Sequence, residues 1–199
     1  MQALRTLICV TAVAAVVASV GVPPARSNST HGAPDMPMPD TVTGLHDFDF
    51  LVGRWRVHHR RLKERLAGSH EWIEFDGTSE LRTLMGGYGN VDDNVMDLPA
   101  GRYRAASLRS FEPRSNTWSI WFLDGRTPLG PLDPPVRGRF RDGVGTFLGD
   151  DTFNGVPIRV RYTWSKITPR SAHWAQAFST DGGATWETNW EMEFTRIDG

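Results

Sequence analysis

The sequence predicts an all-β domain of antiparallel, up-and-down strands, and three observations predict it. From Leu45 onward, short runs rich in aromatic and β-branched residues are separated by turn dipeptides at fairly even spacing. The dipeptides are Asp76-Gly77, Gly86-Gly87, Ser115-Asn116, Asp142-Gly143, Asn154-Gly155 and Asp181-Gly182, each able to supply the positive φ that tight hairpins need. No long helical period competes, apart from a short helical turn over residues 45–51 before the first strand.

Two runs assign their own faces. Ile158, Val160, Tyr162 and Trp164 share one side of a strand, with Arg159, Arg161 and Thr163 on the other. Near the end of the chain, Trp186, Trp190, Met192 and Phe194 point one way and Glu187, Asn189, Glu191 and Glu193 the other, as in a strand with one wet face. The same period puts Arg196 on the apolar side, where a cation needs an aromatic ring or hydrogen-bond acceptors.

Before this domain the chain reads as export machinery. Residues 1–21 carry the marks of a secretory signal: Arg5, an apolar run from Leu7 to Val17, then small residues, with Val17 and Ser19 (or Ser19 and Gly21) fitting a cleavage site. The apolar run is at or below the length that spans a bilayer, so no stable membrane insertion is expected once it is removed. Residues 22–44 turn to Pro, Ser, Thr, Asp and Gly and read as a tether, leaving 45–199 as one domain. The expected location is periplasmic or extracellular.

The single cysteine, Cys9, falls inside the leader, so the expected mature chain has no disulfide, thiolate metal site or cysteine nucleophile. A formal net charge of -1 with scattered basic residues gives no nucleic-acid footprint. Composition assigns no oligomeric state. Eight Trp and ten Phe are the unusual feature; they supply core and, around a cavity, flat walls for a small ligand.

Gly53-Arg54-Trp55, following Phe48, Phe50 and Leu51, resembles the Gly-x-Trp opening of lipocalin-like (calycin) barrels, and Arg196 falls where those barrels keep a closing arginine. The chain from Phe48 to Arg196 is also similar to a family of uncharacterised bacterial domains within or near that superfamily. The phrases that carry this likeness are His46 to Phe50, Gly87-Tyr88-Gly89-Asn90, Gly149 to Phe153 and Ser179 to Asn189. The resemblance implies a lipocalin-like barrel of roughly eight to ten strands, with Arg196 packed across Trp55. A second likeness is local. Ser179-x-Asp181-x-Gly183-x-Thr185-Trp186 resembles the Asp-box of sialidase-type propellers, a hairpin device, so Asp181 and Trp186 are assigned to structure alongside Gly53.

If Trp55 and Val57 face inward, His59 and Arg61 follow on that face toward the other end of the barrel; the alternative is a solvated basic patch over residues 58–61. Adjacent His58 and His59 point to opposite faces and cannot share one ion, and no metal site is indicated. Gln176, between Trp174 and Phe178, must hydrogen-bond a buried backbone group or a ligand. Asp150 and Asp151 at a strand start, and Asn90, Asp92 and Asp93 in a Gly-rich region, offer polar groups to a ligand or cap turns. Trp121 is taken as an aromatic wall, and the Pro-rich stretch 123–135 as a flap or a plain connection.

The candidate ligand-binding set is therefore His59, Arg61, Asn90, Trp121, Asp151 and Gln176. The leading expectation is an exported carrier or sensor of a small, partly apolar molecule. The alternative is an enzyme with His59 or His173 as base, Arg61 as anion stabiliser and Asp151 as orienter, although no hydrolase, zincin or nucleotide motif is present. Haem held by His173 is a narrower form of the first reading, since some related barrels bind haem through one histidine. Alternation, however, sets His173 opposite Trp174 and Gln176, facing solvent. No other cofactor is indicated.

Overall fold

The computed structural model describes residues 43–127 and 130–197. The expected leader, and the expected tether up to residue 42, lie outside the described residues. Among the described residues ten strands follow one another: Gly53–Leu62 (β1), Trp72–Leu84 (β2), Gly89–Leu98 (β3), Gly101–Glu112 (β4), Thr117–Asp124 (β5), Val136–Arg141 (β6), Val144–Phe153 (β7), Val156–Ser165 (β8), Ser171–Ser179 (β9) and Glu187–Arg196 (β10). Each pairs antiparallel with its sequence neighbour, and β10 pairs with β1, so the sheet closes into an up-and-down barrel without a free edge. The short helical turn before β1 is a 3-10 turn over Asp49–Leu51.

Alternation decides what fills the barrel. Trp55, Val57 and His59 on β1, Ile158, Val160 and Trp164 on β8, and Trp190 and Phe194 on β10 are buried, with polar neighbours between them. One end is closed by the entering chain. Phe48 stands at the centre of an aromatic cluster, edge-on to Trp118 and Phe140 at 5.1 Å each, with Phe147 at 5.7 Å. Two indoles fasten this plug to the barrel: Trp118 Nε1 donates to Gly44 O at 2.9 Å and Trp55 Nε1 to Leu51 O at 2.8 Å. Burying each ring contributes roughly 1.5–3 kcal/mol, which a polar connection would forgo.

Two turn signals illustrate what a Gly dipeptide can mean. Asp142-Gly143 and Asn154-Gly155 adopt paired positive φ values, 52° and 76° in the first and 49° and 81° in the second, and form the tight β6–β7 and β7–β8 hairpins. Asp76-Gly77 does not turn. It lies within β2, where Gly77 pairs with Val57 on one side and Met96 on the other. A Cβ at Gly77 would sit 2.3 Å from Val95 O and 3.2 Å from His59 Nε2, so the glycine serves close approach of strand and side chain rather than a bend.

The last strand carries a correction to the expected faces. A bulge between Thr188 and Trp190 inserts Asn189, and the phase changes across it. Trp190 and Phe194 remain inside, but Asn189 is fully buried instead of wet, and Glu187 pairs opposite the inward-facing Phe178. Trp186 falls on the outer side, where Arg161 lies over its ring at 4.3 Å. The Asp181 carboxylate accepts the Thr185 amide at 2.9 Å and the Ser179 hydroxyl at 2.7 Å, holding the β9–β10 hairpin. Those hydrogen bonds, led by the Thr185 side chain, keep Asp181 below the usual carboxylate range.

Arg196 closes the barrel. Its Cζ lies 4.2 Å from the centroid of the Trp55 ring, while Nε donates to Pro169 O at 2.7 Å, Nη1 to Val52 O at 2.8 Å and Nη2 to Phe50 O. One guanidinium thus ties the N-terminal turn, the β8–β9 connection and the β1–β10 seam together. Arg196→Ala should cost about 3 kcal/mol in urea denaturation at neutral pH, because three charge-assisted hydrogen bonds and a cation–π contact go at once. Arg196→Lys should recover less than half, since an ammonium can neither fork to three carbonyls nor stack.

Candidate functional site

Above the plug the barrel interior widens into a cavity of about 300 Å³ that opens at the opposite end. Its walls are aromatic. Trp174 meets Trp190 edge-on at 5.8 Å and packs on Tyr162 at 4.9 Å, and Phe178 and Phe153, 5.4 Å apart, continue the wall toward the mouth. Burial, followed by the Asp151 and Asp133 carboxylates, pushes the Tyr162 hydroxyl above the ordinary phenol range, so it stays protonated and able to donate.

A polar layer separates plug from cavity. Arg109 on β4 and Asp92 on β3 form an ion pair, Nη2 to Oδ2 at 2.6 Å, with both side chains only 4 % exposed. Arg109 Nη1 also donates to Asn90 Oδ1 at 3.1 Å, and its Cζ lies 5.1 Å from the Phe48 ring centroid. Asp92 Oδ1 accepts the Ser107 amide at 2.8 Å and the Asn94 side-chain amide. The pair is thus hydrogen-bonded on several sides, the condition under which two charges survive away from water. Arg109 Nε is left without a partner.

His59 is 3 % exposed, stacked on Phe75 with centroids 4.6 Å apart, and its Nδ1 accepts the Trp190 indole N–H at 3.2 Å. An indole nitrogen only donates, so His59 Nδ1 is unprotonated and the neutral ring carries its proton on Nε2. Burial, then repulsion from His58 and Arg61, lowers the His59 pKa to about 3. Gln176 is similarly engaged: Nε2 donates to the bulge residue Asn189 at Oδ1, 2.8 Å away.

Of the residues singled out in the sequence, His59, Arg61, Asp151 and Gln176 line this one cavity. Asn90 lies beneath it as a support for Arg109. Trp121 is on the outer face, because Trp118, Ile120 and Phe122 hold the inward positions of β5. Asp150 and Asp151 stand near the end of β7 rather than at a strand start, with Asp150 turned outward toward Arg159 at 3.5 Å. His173 is on the outer face, 3.3 Å from Ser165 Oγ and 3.8 Å from the Glu191 and Glu193 carboxylates. It therefore shares no site with Arg61 and Asp151, and cannot reach a group held in the cavity. Among the described residues no three metal-ligating side chains converge.

Sequence reading missed Arg109, Tyr103, Arg65 and Arg126, and named Asp92 only as one of three polar groups in a Gly-rich region. Tyr162 was placed on the inward face without a role. Arg109 was legible by parity, since Ala105 and Phe111 share its face of β4. Asp92 was not, because the inward face of β3 alternates Asn90, Asp92, Asn94 and only then Met96.

No family model and no curated protein matches the chain. Among solved structures it is similar to the M. tuberculosis protein Rv2717c, with a TM-score of 0.53 at 10 % identity over 77 % of this chain and 97 % of that one. It is similar also to an S-type phycobiliprotein lyase from Guillardia theta, with a TM-score of 0.50 at 12 % identity over 76 % of this chain and 91 % of that one. The fold is a lipocalin-like barrel. At these identities the likeness is one of architecture, and the chemistry of this barrel rests on its own side chains.

The buried neutral His59 links stability to pH. In the unfolded chain it takes up a proton below about 6.5, whereas in the barrel it does so only near 3. The unfolded state thus binds more protons across this window, and His59's contribution to stability is lost as pH falls from 6.5. Between pH 6.5 and pH 5 the protein should lose about 2 kcal/mol relative to a His59→Gln variant. Paired urea titrations at the two pH values measure this; a difference independent of pH would refute it.

Proposed function

We propose that this chain is an exported carrier or sensor whose barrel holds a small, partly apolar molecule, and that it is a member of the uncharacterised bacterial domain family it resembles. The observation that carries the binding reading is the cavity of about 300 Å³, open at one end and walled by Trp174, Trp190, Tyr162 and Phe178. An eight-stranded barrel is just wide enough to be filled by side chains or to hold one small ligand, and ten strands enclose more. Here the inward positions of β4 include Ser107 on the cavity wall, a small residue where a large one would fill the space. Such a site binds by apolar contact and is oriented by a few polar groups, for which Arg61, Gln176 and the Tyr162 hydroxyl are placed. Export rests on the leader over residues 1–21 and the tether that follows it.

Native mass spectrometry of protein purified gently from its own host tests the reading. A stoichiometric added mass that is lost on denaturation is expected. Gln176→Ala and Arg61→Ala should each weaken retention by roughly fivefold to tenfold, the loss of about one hydrogen bond. A bare protein mass, together with unchanged tryptophan fluorescence on titration with small aromatic compounds, would sink the proposal.

A further inference from the structure

Beyond Arg61, the open end of the cavity carries charges that the carrier reading leaves unassigned. Arg61 ends the inward row of β1 with its Cζ 5.4 Å from the Trp190 ring centroid and 5.7 Å from that of Phe75. Arg65, in the connection after β1, lies over Phe153 at 4.5 Å, and Arg126, just after β5, lies over Tyr103 at 4.1 Å. Each guanidinium rests on an aromatic face at the cavity rim, which fixes the plane of its donors.

The neighbouring carboxylates are mostly engaged already, one of them by a rim arginine. Asp124 pairs with Arg126, Glu187 accepts the Leu66 amide on both oxygens at 2.9 and 3.1 Å, and Asp150 faces Arg159. Asp133 and Asp151 also line the cavity, where burial, then repulsion from Asp151, raises Asp133. Among the described residues neither Arg61 nor Arg65 has a carboxylate oxygen within 4.0 Å. Arg65 is held below its ordinary range by burial and then by repulsion from Arg61 and Arg126. The Tyr103 hydroxyl is buried beside Arg61 yet makes no hydrogen bond of proper geometry. A partly desolvated cation such as Arg65, crowded by two others and beside an idle hydroxyl, is stabilised by an added anion.

We infer that Arg61, Arg65 and Arg126, with the Tyr103 hydroxyl, form an oxyanion clamp at the barrel mouth, and that the ligand is an amphipathic anion. Its apolar body enters between Trp174 and Trp190 while its charged group stays at the rim. This inference rests on the cavity reading and adds the chemical class of what the cavity takes. Asp133 and Asp151 sharpen it, because they repel an anion away from their own part of the rim and so favour one orientation.

A matched pair of probes separates the clamp from the cavity. 1-Anilinonaphthalene-8-sulfonate and N-phenyl-1-naphthylamine share one ring system, and only the first carries an anion. Calorimetric titration at low salt should find the sulfonate bound at least about tenfold tighter, with the ratio shrinking as salt rises. The Arg61→Gln/Arg65→Gln double variant should bring the ratio to within about twofold of one. Arg65→Gln alone, outside every strand, should cut it at least about threefold and keeps the test alive if the double variant fails to fold. Equal binding of the two probes by the unaltered protein, or a ratio that survives either variant, overturns the clamp and leaves the cavity reading standing. Binding of neither probe overturns both.

Discussion

The barrel depends on one seam, where β10 returns to β1, and Arg196 is the group that spans it. A sheet of ten strands has two edges until its ends meet, and an unpaired edge invites pairing with other chains. Backbone pairing from Trp55↔Arg196 to Arg61↔Trp190 removes both edges. Arg196 then draws the seam onto the plug by donating to carbonyls on two segments outside it while covering Trp55. Because a cation at that point is costly without partners, the same constraint fixes the turn before β1 and the connection before β9. Everything above the seam inherits its register from it, including the inward row Trp55, Val57, His59 and Arg61.

Much of this architecture was legible because the pleat has a period of two. Where apolar residues obey it, as on β8, faces can be assigned from the chain alone. Three features escaped for identifiable reasons. Gly77 carried a turn signal but is needed for close packing, and the dipeptide looks the same in both uses. Asn189 shifted the phase of β10, and a bulge is one extra residue with no composition of its own. Trp121 is a large apolar ring on an outer face, and ring size alone says nothing about which side of a sheet it occupies. The site divides along the same line: His59 and Gln176 were reachable by parity from Trp55 and Trp174, whereas Arg65 and Arg126 lie in connections where no period applies.

The Arg109–Asp92 pair explains why the cavity stops where it does. A buried ion pair adds little net stability compared with apolar residues of equal volume, although breaking one side of it costs several kcal/mol. Its place between the Phe48 cluster and the hollow part of the barrel is therefore more informative than its strength. The Arg109 side chain reaches across to the Phe48 ring and is held there by Asp92 and Asn90, so the plug cannot slide upward to fill the space.

The interior accordingly changes character in steps along the barrel axis. An aromatic plug is followed by a buried ion pair, then by aromatic walls around a neutral His59, and finally by three arginines laid on aromatic rings. Polarity inside a barrel is expensive unless each group is paired: Asp92 accepts on both oxygens and Arg109 has one donor idle, whereas at the mouth Arg126 is paired with Asp124 but Arg61 and Arg65 face no carboxylate. A barrel selected for stability alone would show the reverse order, with unpaired charge kept out of every enclosed space. Concentrating incompletely paired donors around the opening of a cavity is intelligible when a second molecule completes the pairing.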